Sequence, residues 1–142
     1  MPESVASPPA LEFVWEAVVE IAATQPMGQG PLGERRIVPI LGGHFAGPRL
    51  RGRVLPGGAD RQLIRADGVK LLDALYELET EDGALLTVRN NVLMDGGRAF
   101  STLRITAPEG PHGWLNRAVF VGTLESLRPG QDAVKIRVYK LA

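Results

Sequence analysis

The sequence contains no cysteine, which excludes disulfides, iron–sulfur clusters, thiolate nucleophiles and zinc sites with sulfur ligands. Histidine is almost as scarce. His44 and His112 make up the whole complement, and their wide separation matches no metal-ligand spacing. Also missing are a Gly-x-Ser-x-Gly elbow, a P-loop, a dinucleotide-binding glycine pattern and a His-Glu-x-x-His motif. No cofactor, metal or nucleotide, is therefore expected. No apolar run approaches the ~20 residues of a membrane-spanning helix. Neither sign of charge dominates, with 16 basic and 16 acidic side chains, so no global field draws the chain to nucleic acid or to a membrane.

Residues 1–9 hold Glu3 and three prolines where a secretory signal needs a basic start and an apolar core. They are expected to form a loose lead-in, and the protein to be cytoplasmic. Residues 10–142 suit a single domain, large enough to bury a core without a covalent staple.

Glycine and proline are abundant, 17 and 11 of 142 residues, and they are clustered. Pro56-Gly57-Gly58, Asp67-Gly68, Asp82-Gly83, Asp95-Gly96-Gly97 and Pro129-Gly130 supply the backbone angles of tight turns. Between the clusters lie segments of about 6–12 residues, the spacing of a meandering antiparallel sheet. Val134, Ile136 and Val138 alternate with Lys135, Arg137 and Tyr139, which predicts the apolar set inward. Leu11, Phe13, Trp15, Val19 and Ile21 form one face of the first segment, with Glu12, Glu16 and Glu20 opposite. Those three glutamates also fit an i, i+4 helical spacing, but the alternation and the Val, Ile and Thr content favour a strand over 11–24. Residues 69–80 are rich in helix formers, yet the flanking Asp-Gly pairs frame a hairpin arm. With no βαβ rhythm, closing the sheet on itself removes its edges. The expected fold is all-β, one antiparallel closed β-barrel.

Two glycine- or arginine-rich stretches invite functional readings. Gly42-Gly43-His44-Phe45-Ala46-Gly47 leads into no helix, so a bend or close backbone approach suits it better than a phosphate cradle. The span 35–65 holds seven arginines against one acid, Asp60, and Arg49, Arg51 and Arg53 share a strand face that an oligonucleotide could use. Only Phe45 offers an aromatic platform there, and a solvated face paired with acids such as Glu12, Glu16 and Glu20 fits better.

Polar residues that alternation turns inward are more informative. If Arg61 and Arg65 face solvent, Asp60, Gln62 and Ile64 face the barrel. Tyr76 shares a face with Leu72, Ala74, Leu78 and Thr80. Asn90 interrupts the apolar face of Ala84, Leu86, Val88 and Val92. A carboxylate, a phenol and a carboxamide in one lumen must satisfy each other or meet a ligand. Such a carboxylate has a raised pKa and can serve as a general base. Alternatively, Asp60 accepts backbone N–H bonds from the Pro56-Gly57-Gly58 turn.

Several strings carry a resemblance. Gly42-Gly43-x-Phe45-x-Gly47-Pro48, Gly52-x-Val54-Leu55-Pro56-Gly57-Gly58-Ala59-Asp60, Tyr76-x-Leu78-x-Thr80-x-Asp82-Gly83 and Trp114-Leu115-Asn116-Arg117 resemble domain-of-unknown-function family 3237, also called uncharacterised protein family 0311. The resemblance runs from about Phe13 to Tyr139. It implies a lipocalin-like barrel with a central pocket, and a few relatives are associated with cofactor-free transformations such as intramolecular hydroalkoxylation. Members often carry aromatics where this chain has Arg61 and His112. The resulting expectation is a cofactor-independent lyase or isomerase, of cyclase or hydratase type, acting on a small carbonyl-bearing or aromatic metabolite. Asp60 and Tyr76 would be catalytic. Asn90, His112, Trp114 and Asn116 would bind substrate, with His112 and Trp114 at the mouth. The alternative is a non-catalytic barrel that holds a small ligand. The expected partner is that small molecule, with no nucleic acid or membrane, and self-association into a homo-oligomer stays open.

Overall fold

The turn residues divide the chain into strands that fold back on their predecessors. A computed structural model describes residues 7–142, so most of the lead-in expected over 1–9 lies outside the described residues. Among these, the strands are β1 (Leu11–Ile21), β2 (Gln25–Gly30), β3 (Gly33–Ala46), β4 (Arg51–Val54), β5 (Ala59–Ile64), β6 (Lys70–Thr80), β7 (Leu85–Asp95), β8 (Arg98–Thr106), β9 (Phe120–Ser126) and β10 (Ala133–Leu141). A single 3₁₀ turn, Gly113–Arg117, follows β8. Both segments with a helical alternative, 11–24 and 69–80, are strands.

All pairings are antiparallel, and they close into a barrel. The order runs β1-β10-β9-β8-β7-β6, then β4 and β5 lie end to end between β6 and β3, and β3 returns to β1. β4 pairs with the C-terminal part of β3, and β5 with its N-terminal part. That makes a closed eight-stave barrel. β2 lies on β3 beyond the point where β3 leaves β1, and is largely exposed.

The Gly42–Gly47 stretch is a close-approach device, not a phosphate cradle. A Cβ on Gly43, whose φ is 133°, would sit 2.0 Å from the Val18 carbonyl oxygen. One on Gly47 would sit 1.8 Å from that of Val14. Both contacts lie at the seam where β3 meets β1, so closure requires residues without side chains there.

Inward alternation holds for β6, β7 and β10: Leu72, Tyr76, Leu86, Val88, Ile136 and Val138 are buried. β1 departs from expectation. Its register with β10 shifts between Phe13 and Trp15, and the extra residue of this bulge inverts the alternation. Trp15, Ala17, Val19 and Ile21 face the core, whereas Leu11 and Phe13 are exposed. Phe13 stacks edge-on against Tyr139 on the outer face, centroids 6.0 Å apart.

Large side chains fill only one end of the barrel. Trp15 and Phe45 lie 5.3 Å apart between centroids, and Phe120, Leu78, Leu86 and Leu115 complete the plug. The other half holds a cavity, with Ala74 among its lining residues.

The turn at Pro56-Gly57-Gly58 has its positive φ at Gly57, 108°, with nothing within 4 Å of a Cβ placed there. Gly57→Val should therefore lose about 1 kcal/mol through backbone strain alone. Gly43→Val adds a backbone clash and should lose clearly more. Urea denaturation of the two variants checks the order, and equal losses would show that the seam can part without cost.

Candidate functional site

Register across β5, β6 and β7 assembles the site. Asp60 is paired with Ala74, and Ala74 with Asn90, so the three residues form one inward row. Neighbouring strands lie ~4.8 Å apart, which places the Asp60 and Asn90 backbones about 10 Å apart with only a methyl group between them. Tyr76 stands two positions further along β6, on the same face. All four line a cavity of about 270 Å³ with Val38, Ile40 and Val92 among its apolar walls.

The polar atoms in this cavity are short of partners. The Gln62 side-chain nitrogen donates to Asp60 Oδ2 at 2.9 Å, but Asp60 Oδ1, the Tyr76 hydroxyl and both polar atoms of the Asn90 carboxamide have none. Asn90 is 1% exposed and Tyr76 is equally buried. An unpaired buried polar group costs ~1–3 kcal/mol, so four such atoms on one cavity are a heavy load for a fold. Trp15 Nε1 and Ser101 Oγ also lack partners, but neither residue lines this cavity. The alternative bonding of Asp60 to the Pro56-Gly57-Gly58 turn is not what forms.

Burial pushes the Asp60 carboxyl up to about 6. The Gln62 hydrogen bond opposes that rise, and the nearby Asp73 carboxylate adds to it. Burial, with a smaller contribution from Asp60, drives the Tyr76 phenol well above its usual value. The pair comprises a carboxylate that ionises near neutrality and a phenol that keeps its proton.

The other sequence-predicted residues lie at the opposite, plugged end. β8 runs antiparallel to β7, so the chain after Thr106 emerges beside the β6–β7 turn, away from the Lys70 end of the cavity. His112 Nε2 lies 2.9 Å from the Asp82 carboxylate, which also accepts from the Thr80 hydroxyl. Trp114 lies beneath the Arg49 guanidinium, 4.0 Å from ring centroid to Cζ, and against Phe120. Asn116 accepts from the Ala107 N–H at 2.8 Å and donates to the Ala107 carbonyl at 3.0 Å. These contacts pin the loop to the barrel. None of the three residues lines the cavity, and the expected placement of His112 and Trp114 at its mouth is corrected accordingly.

The mouth instead carries Arg36, Lys70 and Arg128, none of them among the residues expected from sequence. A signal was present: Arg36 shares the alternation phase of Val38 and Ile40, and Lys70 that of Leu72 and Tyr76. Among the described residues, no group of three or more His, Asp or Glu side chains is placed to hold a metal ion.

The raised Asp60 pKa has a definite consequence for stability. Below its unfolded value of 3.8 the carboxyl is protonated in both states and carries no penalty. Between 3.8 and about 6 the folded chain keeps a proton that the unfolded chain releases, so stability falls as pH rises. Above that window the loss is complete, on the order of 2–3 kcal/mol. Denaturation from pH 4 to pH 8 should show Asp60→Asn gaining on wild type across this window. A difference independent of pH would show that the carboxyl meets water.

Comparison with known proteins agrees with this architecture. A family model described as a protein of unknown function (DUF3237) matches residues 9–141. A UPF0311 protein of Rhodopseudomonas palustris is 43% identical over 84 residues, 58% of this chain and 55% of that protein. The chain thus spans about half the length of the first curated relatives it matches. A hydroalkoxylation enzyme of Penicillium herquei, phnH, is 30% identical over 124 residues, 85% of this chain and 78% of that enzyme. Among solved structures, a β-barrel-like protein from Acinetobacter baumannii superposes with a TM-score of 0.89 at 29% identity, covering 99% of this chain and 100% of that one. Matched by the family model over nearly its whole length, the chain belongs to the DUF3237 family.

Proposed function

We propose that the barrel cavity is the active site of a cofactor-independent lyase or isomerase, of cyclase or hydratase type, acting on a small carbonyl-bearing or aromatic metabolite. The observation that carries this reading is the convergence of four unpaired polar atoms, on Asp60, Tyr76 and Asn90, in one apolar-walled cavity. A bound oxygen-bearing ligand would satisfy them. Kinship to a hydroalkoxylation enzyme at 30% identity supports catalysis over storage.

In a ring closure of that type, Asp60 takes the proton from the substrate hydroxyl as its oxygen bonds to the β carbon of a conjugated carbonyl. Negative charge moves to the carbonyl oxygen, where the Tyr76 hydroxyl and the Asn90 amide donate to it. The proton on Asp60 then returns to the α carbon, and the product is an isomer of the substrate. A positioned base contributes about 10²–10⁴ to such rates, and an oxyanion donor about 10²–10³.

A second reading, a non-catalytic binding barrel, is favoured by the Gln62 bond that already occupies one Asp60 oxygen. Nucleic-acid binding has less support. Arg51 and Arg53 pair with Glu81 at 3.0 Å and Glu79 at 2.9 Å, and Arg49 is stacked on Trp114. The expected partners of these arginines, Glu12 and Glu16, instead face Lys140, Lys135 and Arg137.

The test is a turnover screen with hydroxyl-bearing α,β-unsaturated carbonyl compounds, beside calorimetric titration of the same compounds. Asp60→Asn should abolish turnover and keep the fold, because the amide conserves volume but takes no proton. Tyr76→Phe should lose roughly 10²-fold. The wild-type kcat/KM should rise with pH through about 6, as Asp60 ionises. Turnover that survives Asp60→Asn would remove Asp60 from the role of base. Binding without turnover in the wild type would identify a binding barrel.

A further inference from the structure

The cavity is polarised along its axis. Its lining contains three basic side chains, Arg36, Lys70 and Arg128, and one acid, Asp60. The basic residues stand at the open end and the acid lies deep. They come from β3, from the start of β6 and from the loop after β9, so no single local sequence bias accounts for the cluster. The whole chain has no net charge, and the excess is one of placement.

The cations are only partly neutralised. Arg36 meets Glu34 on its own strand at 3.3 Å. Arg128 donates to the Ala22 carbonyl at 2.7 Å and reaches Asp132, itself 79% exposed, at 3.2 Å. Lys70 makes no ion pair among the described residues. Neither Glu34 nor Asp132 lines the cavity. A solvated lysine at a strand end is ordinary in itself. Here Lys70 shares the inward face of Leu72, Ala74 and Tyr76, so its charge is directed toward the mouth of the site.

We propose that the ligand is an elongated organic monoanion whose charged oxygen rests at the mouth against Lys70 and Arg36 and whose uncharged oxygen function reaches Asp60, Tyr76 and Asn90. This rests on the reading of the cavity as a ligand site, and adds the ligand's charge and orientation. Lys70 stands four residues, about 13 Å, from the Ala74 row along β6, and Arg36, opposite Gln62, lies between the two levels, which sets an elongated shape with Lys70 at its outer end. Cation-lined clefts with low-dielectric walls concentrate anions and speed their entry, in a manner that salt suppresses. The reverse orientation would place the anion against the Asp60 carboxylate and leave the cations unmet.

The test uses three probes of one shape: 2-naphthoate, 2-naphthamide and 2-naphthylmethylamine. Each is titrated calorimetrically at pH 7.5 into wild type and into the double variant Arg36→Gln/Lys70→Met. Wild type should bind the carboxylate at least tenfold more tightly than the amide, with the amine weakest. The variant should narrow the carboxylate preference to about twofold while the amide affinity holds. Raising salt from 50 to 500 mM should weaken only the carboxylate in wild type. Equal affinity for carboxylate and amide in wild type, tightest binding of the amine, or a preference untouched in the variant would overturn the proposal and leave the ligand site standing. Failure of all three probes to bind would overturn both.

Discussion

Closure of the barrel depends on the seam between β1 and β3, and the seam depends on backbones approaching more closely than any side chain allows. At Gly43 and Gly47 the Val18 and Val14 carbonyls occupy the space where a Cβ would stand. Without that approach the sheet would keep two free edges. The row of Asp60, Ala74 and Asn90 would then face solvent, because a lumen exists only when the last stave meets the first. Burial of Asp60, the rise in its pKa and the isolation of the Tyr76 hydroxyl all follow from closure. The residues on which the cavity depends therefore include two glycines that do not line it.

The asymmetry of side-chain size along the barrel axis comes next. Trp15, Phe45 and Phe120 fill one end, so the hollow must lie at the other, where Ala74 occupies a position that a leucine would have filled. The plugged end is reinforced from outside by the loop after β8, through His112 on Asp82 and Asn116 on Ala107. The close-packed end supplies the apolar burial that holds the fold, and the other end can then carry unpaired polar atoms. Among the described residues the site lies wholly on strands, with Arg128 and Thr24 at its rim as the exceptions. Strands hold catalytic groups more rigidly than loops do.

The parts legible in the sequence were those governed by a period of two. Asp60, Tyr76 and Asn90 could each be placed inward because their strands carry unbroken alternation, and β-sheet register then made them neighbours. Alternation fails in two places. The bulge between Phe13 and Trp15 inverts the phase of β1, and nothing in Leu11-Glu12-Phe13-Val14-Trp15 reports a bulge, since Leu11, Phe13 and Trp15 keep a single unbroken phase in the sequence. His112, Trp114 and Asn116 lie on a loop and a 3₁₀ turn, where alternation is undefined and only the direction of the preceding strand decides the end of the barrel. The rim cations are illegible for a third reason. A basic residue at a strand end satisfies the expectation of a solvated surface whether or not its face leads into a cavity.

The electrostatic arrangement follows from where low dielectric begins. Asp60 lies deep enough that its charge is disfavoured, while Lys70 and Arg36 keep theirs at the mouth. The two sets share a cavity without forming an ion pair: the Lys70 row stands about 13 Å from the Asp60 row along β6, and Arg36, opposite Gln62, is engaged by Glu34. Had a basic residue replaced Gln62 beside Asp60, the carboxyl would be held ionised and its capacity to take up a proton near neutrality lost. The neutral Gln62 amide steadies one carboxylate oxygen and leaves the other unpaired toward the cavity. A base poised near pH 6 therefore requires the arrangement seen here: cations that can attract a ligand at the mouth, none of them paired with the group that would act on it.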